Sequence, residues 1–523
     1  MVIRNAADLD AGARLEADVC IVGAGAAGIT LARELSGSGL TTVLLESGGL
    51  EPDPATQDLY AGTVTGTPFG ELEAEDALAA ARLRYFGGTT GHWAGFCRPL
   101  DPIDFEPRPG PDPSGWPLSR SDLDPWYERA MEVLGIGPMA FTWAAWEERV
   151  GYPDPFAGTE LTRTDAFQVR PVRFGSAFRD ELAAAPDVDV VLGANLVEVV
   201  FAGDRVSAVR GATLDGGELT VEAREFVLAL GGIENARMLL VGSPQRPDGI
   251  GNEHDLVGRY FCEHPQTIIG VATTTAAPEL LEDVFDGRIT DPDATVDPPA
   301  VLRGVIVPTT EAARSRGLLS FGAHGLPGAL DAESADAASG LTAGDVAAFA
   351  EMSQGLELPG VLLLVVTGEQ ALHADSRVTV TGDRDALGLP RASVDWKMTA
   401  GDRQTMVDGV RLIGSELGRV GLGRVRLTPG NLRPSETGGF EVDPAAADPE
   451  GFAVGIGFHH LCTTRMASDP AEGVVDADLR VHSVENLSVA GSSSFATAGS
   501  APPTFTIVAL SLRLAETLKG RLS

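Results

Sequence analysis

The sequence predicts an α/β fold joined to an α+β part that contains an antiparallel sheet. Residues 18–22 (DVCIV) form a short apolar run typical of a buried parallel strand, and residues 29–35 follow with helical spacing. A second apolar strand at residues 41–45 completes a unit of the length that a βαβ crossover needs. From about residue 265, β-rich runs separated by polar loops replace this alternation, which indicates a second structural unit.

Composition and charge exclude several classes of protein. The chain has 523 residues, 44% of them hydrophobic, enough for about three domain-sized units or one large fold with insertions. Its 39 basic and 74 acidic residues give a formal net charge of −35, which argues against nucleic-acid and membrane-surface partners. Four cysteines without CxxC spacing, the absence of a signal-like N-terminus and the absence of a long apolar run predict a cytoplasmic protein.

The loop between the first strand and the first helix is glycine-rich. It reads GAGAAG at residues 23–28, where glycine permits a tight turn and close approach of backbone amides to a pyrophosphate at the positive end of the helix. Glu46 ends the second strand and can accept both hydrogen bonds from an adenosine ribose. The unit predicts a Rossmann-like dinucleotide-binding domain, and its place near the N-terminus of a long chain favours FAD over NAD.

Two further blocks carry recognisable sequence patterns. Residues 85–98 (YFGGTTGHWAGFCR) place consecutive glycines where backbone must approach a flat ring closely. The C-terminal block reads FHHLCTTRM at 458–466, GVVD at 473–476, LRV at 479–481, NLSVAGSS at 486–493 and PTFTI at 503–507.

Together with the N-terminal unit, these blocks resemble the glucose–methanol–choline (GMC) family of flavoprotein oxidoreductases. Residues 87–93 (GGTTGHW) resemble the segment that lies over the flavin in the pyranose-oxidase branch and in bacterial sugar dehydrogenase subunits. The overall resemblance points to the pyranose oxidase and bacterial glycoside 3-oxidase-like branch.

The resemblance implies a fold and a division of the chain. It implies an FAD-binding domain of the GMC and p-hydroxybenzoate hydroxylase type together with an α+β substrate domain. The FAD-binding domain is expected in three pieces: residues 1–140 with a flavin-covering loop at 85–117, residues 185–264, and residues 451–523 with the catalytic histidine. The substrate domain is expected at residues 141–184 and 265–450. Separately from the resemblance, the acidic composition of residues 328–340, which are low in bulky side chains, predicts either a surface insertion or a mobile loop or lid.

By the same resemblance and by the glycine-rich loop, a set of residues is expected to bind FAD: Gly23, Gly25, Ala26, Ala27, Gly28, Glu46, Ser47, Gly88, Thr89, Thr90, His92, Trp93, Ala94, Val197, Gly231, Gly491, Ser492, Pro503, Thr504 and Phe505. The resemblance leaves open whether His92 also carries a covalent bond to the flavin, and the non-covalent arrangement is favoured. No group of His, Cys, Asp or Glu has metal-ligand spacing, so no metal is expected.

The catalytic candidates are His459 and His460. Oxidation of an alcohol by flavin removes a hydroxyl proton, and a neutral imidazole can take that proton because its pKa lies near working pH. The family pattern assigns this role to His459, and His460 is expected to point away as a packing or substrate-edge residue. His264 is expected to be structural.

Two departures from the family pattern bear on function. Cys462 stands where the family usually has glycine, and Pro502 stands where a second active-site His or Asn is usual. Proline offers no side-chain donor or acceptor, so His459 works alone or is helped by His460, Ser500 or water.

The expected reaction is oxidation of a secondary hydroxyl of a pyranose or glycoside at C2 or C3, with dioxygen or a quinone as re-oxidant. A non-sugar alcohol substrate and a non-redox, lyase-like role remain alternatives, and the oligomeric state is not predicted.

Overall fold

The computed structural model describes residues 3–69, 72–74, 76–108, 110, 112, 114–327, 360–427, 432–435, 439–442 and 454–523. Its strands are β1 (Ile3–Asn5), β2 (Ala13–Val22), β3 (Thr42–Leu45), β4 (Gly62–Gly66), β5 (Phe96–Cys97), β6 (Thr162–Val169), β7 (Val188–Leu192), β8 (Asn195–Ala202), β9 (Arg205–Ala212), β10 (Glu218–Leu228), β11 (Pro265–Thr274), β12 (Ile289–Thr290), β13 (Val301–Pro308), β14 (Phe321–Pro327), β15 (Gly360–Gly368), β16 (Arg377–Arg384), β17 (Pro390–Trp396), β18 (Gly423–Leu427), β19 (Leu432–Ser435), β20 (Gly439–Val442), β21 (Gly455–Ile456) and β22 (Leu487–Val489).

The helices of the described residues are α1 (Ala26–Leu35), α2 (Pro54–Asp58), α3 (Ala77–Ala80), α4 (Arg120–Leu134), α5 (Trp143–Val150), α6 (Phe174–Ala184), α7 (Glu234–Val241), α8 (Pro278–Phe285), α9 (Thr310–Arg316), α10 (Ala400–Arg419) and α11 (Thr504–Leu522). Short 3₁₀ turns occur at Ala6–Asp8, Gly88–Gly91, Pro102–Phe105 and Ser492–Ser494. No helix in the described ranges is long and apolar enough to cross a membrane.

The first large sheet contains the predicted βαβ unit. Its order is β1-β7-β3-β2-β10-β9-β8, with β22 also paired to β10, and its pairings from β1 to β10 and β22 are parallel. The apolar end of β2, from Val19 to Val22, is almost completely buried because α1 covers one side of the sheet and further segments cover the other. Helix α11 packs against α1 and α4, which fastens the C-terminal segment to the first βαβ unit.

The second large sheet is antiparallel and forms one wall of the site. Its order is β18-β11-β15-β14-β13-β6-β5, with β12 on β13 and β21 on β11. Side chains alternate between its two faces. One face packs on α8 and α10 through buried residues such as Phe321 and Val366, while the other faces the first sheet. A three-stranded sheet, β16-β17-β4, and a two-stranded sheet, β19-β20, complete the strands.

The predicted fold class is confirmed, because both the parallel sheet and the antiparallel sheet occur in the expected order along the chain. The β-rich runs predicted from about residue 265 include β11, β13 and β15 of the antiparallel sheet. The surface insertion or lid predicted at residues 328–340 lies outside the described residues.

Candidate active site

A cavity of about 620 Å³ lies where the two large sheets face each other. The carboxyl ends of β2, β3 and β10 border it on one side, and β6, β11, β13, β14 and β15 border it on the other. Ligands of α/β sheets bind beyond the carboxyl ends of the strands, so the position of this cavity is that of a cofactor site.

The glycine-rich loop at residues 23–28 fits the pyrophosphate of a dinucleotide. A Cβ atom on Gly28 would lie 1.9 Å from the carbonyl oxygen of Gly23, so only glycine allows the helix to start this close to the strand. Gly23 adopts φ +104°, which favours glycine. Gly25 caps α1, and a Cβ there would meet nothing within 4 Å, because that side of the loop opens onto the cavity. Free amides at a helix start beside open space are what a pyrophosphate requires.

Glu46 borders the same cavity and organises the loop. Its carboxylate accepts hydrogen bonds of 2.8 Å from the backbone N–H groups of Ala24 and Gly48. Each carboxylate oxygen retains acceptor capacity, so the same group can also accept a ribose hydroxyl. Ser47 lies beside it and donates a 3.1 Å hydrogen bond to the carboxylate.

The segment at residues 88–94 covers the glycine-rich loop. A Cβ on Gly88 would lie 3.1 Å from the Cα of Gly25, so the two glycine loops touch. Thr90 donates a 2.6 Å hydrogen bond to the carbonyl of Gly87, and the Trp93 indole N–H donates a 2.8 Å bond to the carbonyl of Val172. These bonds hold His92 at the edge of the cavity, where its ring is exposed.

Three of the residues predicted to bind FAD do not line the cavity, whereas the rest of that set does. Gly28 faces the carbonyl of Gly23 and acts through the close packing of the loop. Val197 lies at a register shift in the β8–β9 pairing, and its neighbours Ala194 and Leu196 line the cavity instead. The Phe505 ring is fully buried 4.9 Å from the ring of Tyr127, so its side chain supports α11 from behind.

His459 also lines the cavity and is paired with His264. Two antiparallel contacts, Cys262 with Leu461 and Gln266 with Gly455, bring the two chain segments together. The Nδ1 atoms of His459 and His264 are 2.9 Å apart, and Nε2 of His264 is 3.2 Å from the carbonyl oxygen of Ala498. Sequence reasoning assigned His264 a structural role and missed this contact.

The contact with Ala498 determines the tautomer of both rings. A carbonyl oxygen only accepts, so Nε2 of His264 carries the proton that it donates to Ala498. In the neutral ring, Nδ1 of His264 is then an acceptor, and the hydrogen between the rings belongs to Nδ1 of His459. Nε2 of His459 is left without a proton, as a general base must be.

Burial keeps this pair neutral. It lowers the pKa of His264 to about 4, because a charged imidazole there would lose its hydration. The pKa of His459 is held well below its usual value, by burial first and then by the neighbouring rings of His264 and His460. Both rings are therefore uncharged at neutral pH.

His460 has a different environment from His459. Its ring packs against those of Phe69 and Phe261, with centroids 5.9 and 6.0 Å apart, and its pKa is lowered to about 3 by burial. Its Nε2 lies 3.5 Å from Oε1 of Glu263. Ser492 donates a 2.7 Å hydrogen bond to its carbonyl. His460 lines the cavity, but these contacts are those of a packing residue.

Glu263 supports both histidine segments from behind. It is fully buried, and its Oε2 accepts 3.0 Å hydrogen bonds from the backbone N–H groups of His264 and His459. Burial raises its pKa to about 8, so the carboxyl group is protonated at neutral pH.

The protonation of Glu263 gives a stability prediction. The folded protein holds this proton up to about pH 8, whereas the unfolded chain releases it near pH ~4.3. Folded protein then binds more protons, so the free energy of unfolding falls as pH rises through this window, by on the order of a few kcal/mol. We expect Glu263→Gln to remove most of this fall in denaturant titrations at pH ~5 and pH ~8. Glu253→Gln, at an exposed site, is the control, and an unchanged pH dependence in Glu263→Gln would contradict the assignment.

Comparison with known proteins identifies two domains. A model of the GMC oxidoreductases matches residues 373–511, and a model of FAD-dependent oxidoreductases matches residues 18–249. The chain carries a GMC oxidoreductase C-terminal domain and an FAD-dependent oxidoreductase domain. The protein is an FAD-dependent enzyme that acts on an alcohol group, and the geometry of its glycine-rich loop fits that cofactor.

Curated relatives match over nearly the whole chain. The fructose dehydrogenase large subunit of Gluconobacter japonicus is 26% identical, with 96% of this chain and 98% of that protein covered. The 6'''-hydroxyparomomycin C oxidase of Streptomyces lividus is also 26% identical, with 97% and 92% covered. Among solved structures, a pyridoxine 4-oxidase from Mesorbium loti shares the fold with a TM-score of 0.58 at 18% identity, with 96% of this chain and 98% of that one covered.

The protein has site residues that the sequence did not indicate. His264, Gln266, Arg303, His324 and Thr367 lie on strands of the antiparallel sheet or directly before them, and all but His264 line the cavity. The one signal available was the alternation of polar residues at 264 and 266 where β11 begins. No group of His, Cys, Asp or Glu in the described part of the chain is arranged to hold a metal ion.

Proposed function

We propose that this protein oxidises a secondary hydroxyl of a pyranose or a glycoside, at C2 or C3, to the ketone, and passes the electrons to dioxygen or a quinone. Two relatives that match over nearly the full chain are named for a sugar and for an aminoglycoside antibiotic. The observation that carries the proposal is the unprotonated Nε2 of His459, held at the cavity by the chain from Ala498 through His264.

The residues of the chain supply binding and proton transfer. Bound FAD, held by the glycine-rich loop and by residues 88–94, supplies the hydride acceptor. Nε2 of His459 accepts the hydroxyl proton, and Nδ1–H stays bonded to His264, which keeps the ring in one orientation. The antiparallel sheet forms the opposite side of the cavity.

Ser500 is the polar side chain best placed to replace the second active-site residue. Pro502 lines the cavity and offers no hydrogen bond, while Ser500 lines the same cavity and is almost fully buried. Its hydroxyl makes no hydrogen bond to another described residue, so it can bind the substrate hydroxyl. His460 is less available, because Phe69, Phe261 and Glu263 surround its ring.

This role gives a prediction for Ser500→Ala. A neutral hydrogen bond contributes about 1 kcal/mol, so we expect kcat/KM for the best sugar to fall by about fivefold. The measurement is steady-state kinetics of the FAD-loaded enzyme, with Ser523→Ala at the exposed C-terminus as control. A loss as large as that from removing His459 would contradict this role, because it exceeds what one neutral hydrogen bond contributes.

The proposed function is tested by anaerobic reduction of the FAD-loaded protein. Pyranoses and glycosides, and aryl and aliphatic alcohols as the comparison set, are each mixed with the oxidised protein while the flavin absorbance is followed. We expect bleaching by at least one sugar or glycoside and product analysis that places the ketone at C2 or C3. Bleaching by simple alcohols alone would mean that the substrate is a non-sugar alcohol. A flavin that stays oxidised with every compound would favour a non-redox role.

A further inference from the structure

The cavity wall formed by the antiparallel sheet carries a cationic side chain that proton transfer does not use. Phe167 pairs directly with Arg303, and Gln266 pairs directly with Thr367. Directly paired residues share a face of a sheet, and all four line the cavity together with His324. Arg303 therefore points from β13 into the space where substrate binds.

The guanidinium of Arg303 is buried and without a close counter-charge. Its side chain is 4% exposed, and no hydrogen bond or ion pair within 4 Å joins it to another residue of the described ranges. The ring of Phe96 lies 5.6 Å from the guanidinium carbon. The carboxylate of Asp286 acts on it only at longer range, and that carboxylate lies 3.5 Å from Arg288.

Four other buried arginines of the described residues are paired with carboxylates. Arg82, Arg84 and Arg237 share the carboxylate of Glu234. Arg98 pairs with Asp165 at 2.7 Å. A buried guanidinium is costly unless an anion meets it. The chain has 74 acidic residues, yet none within the described ranges places a carboxylate close to this buried arginine, which faces an open cavity. Arg303 is therefore suited to bind an anionic ligand.

The surrounding side chains indicate a single negative charge. His324 stacks on Phe167 with centroids 5.3 Å apart, and its pKa is lowered to about 3, first by burial and then by the charge of Arg303. It therefore adds no second positive charge. Thr367 is 4% exposed, and its hydroxyl has no partner in the described part of the chain. The site therefore offers one positive charge and neutral hydrogen-bond donors. This matches a carboxylate, which carries one negative charge and can accept two parallel hydrogen bonds from a guanidinium, better than it matches a phosphate dianion.

We propose that Arg303 binds a carboxylate of the substrate, so that the carbohydrate oxidised is an acidic one, with the carboxylate on a sugar ring or on its aglycone. This inference rests on the proposed function and narrows its substrate class. Three strand spacings, roughly 14 Å at about 4.8 Å each, separate β11 at the histidine end from β13. The carboxylate therefore binds away from the hydroxyl that reacts at His459.

The test compares two substrates that differ only in this charge. With the FAD-loaded enzyme, 4-nitrophenyl glucuronide is compared with 4-nitrophenyl glucoside, both for kcat/KM and for the Kd obtained from the change in absorbance of the oxidised flavin. We expect the glucuronide to be preferred, and Arg303→Gln to lower the glucuronide-to-glucoside ratio about ten- to hundredfold. Arg303→Lys keeps the charge and should give an intermediate ratio. Arg424→Gln, exposed on the edge strand of the same sheet, should leave the ratio unchanged.

Each outcome separates this inference from the proposed function. Equal affinity for both compounds in the wild-type enzyme, or a ratio that Arg303→Gln does not change, would overturn the carboxylate site while sugar oxidation stands. Arg303-dependent binding of the glucuronide without oxidation of any sugar would support the site and reject the proposed function. If glucose 6-phosphate binds more strongly than glucuronate and this binding depends on Arg303, the anion that Arg303 recognises is a phosphate, and the proposed carboxylate is wrong. Retained flavin absorbance in Arg303→Gln shows that the variant is folded.

Discussion

Replacing His459 with alanine is expected to lower the rate of flavin reduction by about 10²- to 10⁴-fold, which is the range for loss of a general base. The reason is that Nε2 of His459 is the unprotonated ring nitrogen left free at this end of the cavity by the contact with His264. The flavin should still bind, because no contact joins His459 to the glycine-rich loop among the described residues. The measurement is rapid mixing with the best sugar under anaerobic conditions.

The control for His459→Ala is His254→Ala, which removes an exposed imidazole distant from the cavity lining. Its rate should equal that of the wild-type enzyme. A His459→Ala variant that retains FAD and reduces it at the wild-type rate would show that another group removes the proton.

His264→Ala is expected to lower the same rate by roughly ten- to hundredfold, the usual cost of losing a group that orients a reacting residue. His264 is a positioning residue, since it contacts His459 and Ala498 and does not line the cavity. Without it, the His459 proton can occupy either ring nitrogen, and the fraction of correctly oriented base falls. The acid limb of the pH–rate profile should also shift to higher pH, because the ring of His264 helps to lower the pKa of His459.

His264→Asn distinguishes positioning from a merely structural role. The asparagine carbonyl can accept the Nδ1–H of His459, and its amide can donate to Ala498, so this variant should recover much of the lost rate. Equal losses of rate and of thermal stability in both variants, with no change in the pH profile, would mean that His264 serves only the fold.

The cofactor-binding part of the molecule was largely predictable because its signals are local. Strand, glycine loop and helix follow one another within residues 18–35, and the glycines are required by contacts within the same few residues, such as Gly28 with Gly23. The C-terminal block likewise keeps its residues in a fixed order, which located His459. In these segments a pattern in the chain corresponds directly to a geometry in space.

The substrate side was much less predictable because its contacts join distant parts of the chain. His264 and His459 are 195 residues apart, and only the pairing of β11 with the segment before His459 brings them together. Arg303 and Thr367 likewise reach one cavity through the register of an antiparallel sheet. Single strands do not encode their register with distant strands, so no local pattern indicated these residues.

The central claim is that a neutral His459, held by His264, removes the proton from the substrate hydroxyl. Its most direct test is the pH dependence of the rate of flavin reduction, measured anaerobically from about pH 4 to about pH 9 with the wild-type enzyme and with His459→Ala. The claim predicts a wild-type rate that stays level at neutral pH, with an acid limb below pH ~6.5 that is absent from the variant. A wild-type acid limb that persists unchanged in His459→Ala would contradict it.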